Sequence, residues 1–159
     1  MCMTHTAEAL TAITPVSVSA VSFDRFGSLL AQHPRVAAQF LLNVQRERVA
    51  LMDQLSAMRR TSAQSRLAAF LTDLLERLGR LAAVKEDSFT MRLTQEQIGD
   101  VLGLTSVHVN RLLRDLEELG LIARDRQVVR ILDRQALVRL AVRPHRTLRT
   151  DLPWLPPHR

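Results

Sequence analysis

The sequence predicts a mainly α-helical chain, in which one long helix leads into a group of shorter helices carrying a small β-hairpin. Three observations predict it. Residues 34–58 keep an apolar heptad, residues 93–122 divide into two short helices at a glycine turn, and residues 121–132 alternate on either side of a polar turn.

Taken in order, Pro15 is followed by Val16, Val18 and Val21, a spacing that suits a short strand. Ser22 then offers a hydroxyl cap for a helix from about Phe23 to Ala31. Pro34 suits the first turn of the next helix, where its missing N–H would have no partner anyway. That helix should run to about Met58. Its heptad puts Ala37, Val44, Leu51 and Met58 at one seam position and Leu41, Arg48 and Leu55 at the other, with a break at Arg48. Such a seam suits pairing with a second helix, so Leu41, Val44, Leu51, Leu55 and Met58 are candidate dimer contacts. Packing within one subunit would give the same periodicity, and both readings stand at this point.

Arg59, Arg60, Thr61 and Ser62 interrupt the pattern and mark a hinge. Leu67, Phe70, Leu71, Leu74, Leu75 and Leu78 then recur at i, i+3, i+4 spacing, an amphipathic helix that Gly79 should end. Arg66, on its polar side, has the reach to touch phosphate or its own domain's backbone, but a solvated arginine is the commoner case. Residues 82–87 suit a loop and residues 89–93 a short strand that pairs with the later β segment.

Leu93 to Ile122 is the most informative stretch. Thr94 and Gln97 stand three apart, so each side chain can satisfy the other's free amide in a capping box. Ile98, Val101 and Leu102 form one apolar stripe, and Gly103 supplies the positive φ that reverses the chain. Thr105 or Ser106 can cap a second helix whose buried face would be Val109, Leu112, Leu113, Leu116 and Leu119, closed by Gly120. Its N-terminal half leaves Ser106, His108, Asn110, Arg111 and Arg114 outside, with no carboxylate among them. That is the layout of a helix-turn-helix, and such a face suits the major groove of DNA. From Leu121 to Leu132 a hairpin should follow, turning at Asp125, Arg126 and Gln127. Arg124, Arg126 and Arg130 on this wing are candidates for sugar-phosphate contacts, a solvated charged hairpin being the alternative. Asp133 caps a last helix from Arg134 to about Val142. Residues 144–159 hold Pro144, Pro153, Pro156 and Pro157 with several arginines, and predict a disordered basic tail.

These residues resemble the DNA-binding domain of the Crp/Fnr family of bacterial transcription regulators. Thr94, Ile98, Gly99, Gly103, Thr105, Val109 and Arg111 fall on the family's motif, while Gln97 replaces the usual carboxylate and His108 the usual Thr or Ser. Arg66, Leu67, Ala68 and Leu71 resemble the helix before the reader, and Ile122 to Ile131 resembles its wing. The resemblance implies a dimerisation helix and hinge over 34–60 and a winged helix-turn-helix domain over 61–143. It also implies that Arg111 reads a base, for which a guanidinium has the bidentate geometry that guanine presents. Ser106 and Val107 stand where many members carry arginine and glutamate, so their readout should differ, with Val107 suited to a thymine methyl. Asn110 suits a base or the backbone and His108 a phosphate. The expected base contacts are thus Ser106, Val107, Asn110 and Arg111. The expected DNA-backbone contacts are Thr94, Thr105, His108, Arg114, Arg124, Arg126 and Arg130. Double-stranded DNA with an inverted repeat, a second copy of the chain and RNA polymerase are the implied partners.

Family members place a large β-roll, which holds a cyclic nucleotide or another signal, before the long helix. Residues 1–33 resemble only its last strand and following helix, and no glycine-rich loop with a glutamate and arginine precedes Phe23. No cofactor and no cyclic-nucleotide response are expected. A naturally short regulator and a fragment both fit. A rival reading makes the chain an interaction protein that heterodimerises with full-length relatives through the long helix.

Composition agrees with a compact regulator. Of 159 residues, 47% are apolar, enough to bury a core, and the formal net charge is +6, carried by arginine because Lys85 is the single lysine. Basicity favours a polyphosphate partner. Cys2, alone, can form neither an internal disulfide nor a four-thiolate cluster. His5, His33, His108, His145 and His158 lie in unrelated segments without ligand spacing, so no metal site is expected. No run has the length of a membrane span and residues 1–12 do not suit a signal peptide, so a cytoplasmic protein is expected. No phosphate loop or nucleophile elbow points to an enzyme.

Overall fold

The computed structural model describes residues 11–80 and 83–142, without side chains at 57–60 and 80. Among these the order is α1 (Phe23–Gln32), α2 (Pro34–Arg60), α3 (Ala63–Arg80), β1 (Ser88–Thr90), α4 (Gln95–Leu102), α5 (Ser106–Glu118), β2 (Ile122–Asp125), β3 (Val128–Ile131) and α6 (Arg134–Leu140). The long helix, the helix-turn-helix and the hairpin are all present, as the sequence predicts.

The strand predicted at Val16, Val18 and Val21 does not form, and these residues are exposed coil. A lone strand has no neighbour to pair its backbone, so nothing holds it extended. Ser22 caps α1 by accepting from the Arg25 N–H, and α1 leans on α2 through Phe26 and Phe40, whose rings meet edge-on at 5.4 Å. Helix α2 continues through Arg60, so the hinge narrows to Thr61 and Ser62. Ser62 Oγ accepts from the Ser65 N–H at 3.1 Å and starts α3.

Helix α3 does not stop at Gly79 but reaches Arg80, since glycine inside a last turn costs only about 1 kcal/mol against alanine. Its inner face, Leu67, Ala68, Leu71 and Leu75, packs into one core with Ile98 and Leu102 of α4, Val109, Leu112, Leu113 and Leu116 of α5, and Leu137 of α6. The sheet closes that core from below in the order β1-β3-β2, all antiparallel, with Phe89 opposite Val129 and Ile122 opposite Ile131. The strand expected over 89–93 is shorter than predicted, but it pairs with the hairpin as expected. Asp125 belongs to β2, so the wing turns on Arg126 and Gln127 alone. Helix α6 ends at Leu140 rather than Val142, and the predicted tail lies outside the described residues.

Two predicted core residues are outside the core. Leu119 is 59% exposed because it is the C-cap of α5, where the chain already leaves the helix. Gly120 follows with φ 67, and the Gly120 and Leu121 N–H groups bond back to Glu117 and Leu116 in a Schellman motif. Val101 is exposed on the side of α4 that looks toward α2.

Candidate nucleic-acid interface

The reader begins with the predicted capping box. Gln97 N–H donates to Thr94 Oγ1 at 3.2 Å, and Thr94 N–H donates to Gln97 Oε1 at 2.9 Å. Gly103, at φ 65 and ψ 44, ends α4 in the left-handed region. Gly99 has a different reason to be glycine: a Cβ there would press into the Leu104 carbonyl oxygen, so the turn can lie close against α4 only without one. Of the two candidate caps for α5, Thr105 acts, its Oγ1 accepting from the His108 N–H at 3.2 Å. Ser106 is thereby left to the outside of the first turn.

The buried stripe of Val109, Leu112, Leu113 and Leu116 fixes the rotation of α5. Ser106, Val107, Arg111 and Arg114 are exposed in consequence, and His108 and Asn110 are half-buried. Val107 is 79% exposed, well beyond what a core valine shows. No acidic residue occupies the first turn of α5, so nothing cancels the positive end of its dipole.

Two hydrogen bonds organise this face. Arg111 Nη2 lies 3.1 Å from His108 Nε2. A guanidinium has only donors, so this contact is a hydrogen bond when Nε2 is the ring's acceptor. His108, expected at a phosphate, is thus turned to its neighbour on the helix. Asn110 Oδ1 accepts from Gln95 Nε2 at 3.4 Å, which ties the recognition helix to the start of α4.

On the wing, Arg126 is exposed at the turn with φ 51, and exposed Arg130 donates from Nε to Ser88 Oγ at 3.2 Å. Arg124 is not with them. Its Nη2 lies 2.5 Å from Glu117 Oε2, and it is partly buried between α5 and β2 as a brace. The hydrogen bond from Arg124 holds the Glu117 carboxyl below the usual glutamate range, against the opposing effect of burial. Sequence reasoning missed Arg92 and Gln95. Arg92 Nη1 meets Gln127 Oε1 at 3.4 Å, and Met91 N–H donates to the Gln127 carbonyl at 2.7 Å, so the strand pairing carries Arg92 to the wing tip. Its one visible signal was an arginine set just before the capping box.

Arg66 is not a solvated arginine. It donates from Nε to the Leu102 carbonyl at 3.3 Å and from Nη1 to that of Thr61 at 3.0 Å, bracketing the hinge against α4. On α2, Leu41, Val44, Leu51 and Leu55 are all exposed; Met58 stands in the helix with its side chain outside the described residues. Among the described residues no group of three or more His, Cys, Asp or Glu could hold a metal ion, and no helix is long and apolar enough to cross a membrane.

A three-helix unit with a capped recognition helix and a β-wing is a winged helix-turn-helix domain. Residues 65–140 match the family model described as the Crp-like helix-turn-helix domain. That stretch has the form of a Crp-like helix-turn-helix domain. The "Probable transcriptional regulator flp" of Lacticaseibacillus casei is 34% identical over 126 residues, 79% of this chain and 53% of that protein. The nitrogen fixation regulation protein FixK of Azorhizobium caulinodans is 41% identical over 83 residues, 51% of this chain and 33% of that one. The structure of FixK2 from Bradyrhizobium japonicum shares the fold, with a TM-score of 0.66 at 24% identity over 79% of this chain and 61% of that chain. The chain spans about half the length of the first curated relatives it matches.

Proposed function

We propose that the chain is a sequence-specific transcription regulator that binds an inverted-repeat operator as a homodimer, its two recognition helices entering successive major grooves about 34 Å apart. The observation that carries this reading is the outer face of α5, open from Ser106 to Arg114 and free of carboxylates, on a Crp-like domain. Arg111 reads guanine, Val107 meets a thymine methyl, and Ser106 and Asn110 complete the base contacts. Thr94, Thr105, Arg114, Arg126 and Arg130 position the duplex through its backbone, joined by Arg92; His108 serves through Arg111, and Arg124 leaves the set. The second copy docks on Leu41, Val44, Leu51 and Leu55, with Met58 continuing the seam. RNA polymerase is the partner that a promoter-bound regulator addresses, and the cytoplasm is where it would do so.

The exposed seam also suits a heterodimer with a longer relative, so the test must separate the two. Random duplex DNA is selected with the purified chain at fixed near-physiological salt, since nonspecific binding varies steeply with salt. We expect enrichment of a two-fold symmetric site that Arg111→Ala loses. A folded protein that enriches no motif would overturn the homodimeric reading and favour the heterodimer.

A further inference from the structure

Helix α2 meets the reader domain through polar contacts across a gap. A cavity of about 150 Å³ lies between them, bordered by Glu47, Leu51, Gln54, Arg66, Phe70 and Arg77, so apolar packing across this junction is incomplete. Contacts from α2 span it. Gln54 Nε2 donates to the Val101 carbonyl at 3.0 Å, and Glu47 Oε2 lies 3.3 Å from Arg77 Nη2, whose Nε is 2.7 Å from Asp73 Oδ2.

The Gln54 contact falls where the reader needs one. The last carbonyls of a helix have no partner within it. At the end of α4, Gly103 and Leu104 N–H groups take the Gly99 carbonyl and Arg66 takes that of Leu102. The Val101 carbonyl receives its donor from α2. Glu47 and Gln54 are seven residues apart, hence on one stripe of the helix, and that stripe adjoins the seam of Leu51 and Leu55. One rigid helix thereby offers adjacent stripes to a second copy and to its own reader.

We propose that Gln54 is a positioning residue: by holding the end of α4 it fixes the pose of the reader on the dimer helix, and so the spacing of half-sites the dimer accepts. Arg77 seconds it, more weakly, because its ion pairs are solvent-exposed and such pairs contribute little. The proposal rests on the dimeric DNA reading above. It ties operator geometry to a residue far from the DNA.

The test compares the wild-type chain with Gln54→Met, which keeps the length and loses the donor, and Gln54→Lys, which restores a donor. Gln54 is exposed, so neither change disturbs the core. One arm measures affinity for an isolated half-site and for paired half-sites over a range of spacers. Gln54→Met should lower the preference for the best spacer about five-fold, with half-site affinity unchanged, and Gln54→Lys should restore it. The other arm needs no DNA. Spin labels at Gln45→Cys and Glu118→Cys, in a Cys2→Ser chain diluted with unlabelled protein, report the distance between α2 and the reader. Gln54→Met should broaden that distribution. An unchanged distribution or an unchanged spacer preference overturns the proposal, as does a loss of half-site affinity equal to the loss on paired sites. A broadened distribution in a chain whose wild type selects no symmetric DNA would uphold the coupling and refute the dimeric DNA reading.

Discussion

The two halves of the chain differ in what they bury. From Ser65 onward, α3, α4, α5, α6 and the sheet share one core, and Leu67, Leu71, Val109 and Leu116 have no measurable exposure. Among the residues before Ser65 whose side chains are described none is buried, although α2 is the longest described helix. A 27-residue helix has length enough to form, but it brings apolar residues to its surface that the other described residues do not cover. The reader has a core of its own, and the helix that precedes it leaves its apolar residues open among the described residues.

The sharpest way to break this contrast is to damage each half separately. Leu116→Ala should destabilise the reader by about 2–5 kcal/mol, because the side chain is fully buried and its neighbours can close the void only in part. Thermal unfolding followed by circular dichroism measures it, and a loss below about 1 kcal/mol would mean the core is looser than its burial implies. The paired substitution Leu51→Ser with Leu55→Ser should leave the reader's own transition in place. It should instead raise the dimer dissociation constant at least about ten-fold, since each leucine covered by a partner is worth about 1.5–3 kcal/mol. Analytical ultracentrifugation over a concentration series reads this directly. Equal association of variant and wild type would remove the seam from the interface.

The same contrast explains how much was legible in the sequence. Helix periodicity, the Thr94–Gln97 capping box, the glycine turn and the wing strands are local signals, and each appears where it was expected. The stripe of Val109, Leu112, Leu113 and Leu116 was readable because burial repeats at the helical period. What escaped depends on pairs distant along the chain. Arg92 reaches the wing only through the pairing of β1 with β3, Arg66 finds the Leu102 carbonyl only when α3 crosses α4, and Arg124 finds Glu117 only when the wing folds back on α5. The strand expected near Val18 failed for the opposite reason: its local pattern was present and its partner was not.

Within the reader, the wing tip is one place where the packed half yields stability. Arg126 holds φ 51, a region that disfavours side chains with a Cβ and costs about 1–2 kcal/mol. Arg126→Gly should therefore raise unfolding stability by about 1 kcal/mol. It should also weaken DNA binding nearly uniformly across sequences and reduce the slope of log affinity against log salt by about 1.8, the signature of one lost phosphate contact in each protomer of the dimer. A more stable variant with an unchanged slope would assign Arg126 to the turn alone.

The smallest effect expected separates the halves by acid. Glu117 carries a carboxyl pKa lowered by the hydrogen bond from Arg124, and both lie in the reader, joining α5 to β2. A carboxyl whose folded value is depressed stabilises the fold fully above its unfolded value, and that contribution is lost as pH falls through the folded one. Stability of the wild-type reader should accordingly exceed that of Arg124→Met near neutrality, and the gap should shrink on the acid side of the usual glutamate range. Melting curves from neutral to strongly acidic pH give the comparison, and a gap that stayed constant throughout would show that Arg124 contributes by packing rather than by its pair. The seam of α2 depends on no such pair at Leu51 or Leu55, so dissociation of the dimer should not follow this acid dependence. If it did, reader and seam would be coupled through the junction that Gln54 spans, and the independence of the two halves would give way to a single cooperative unit.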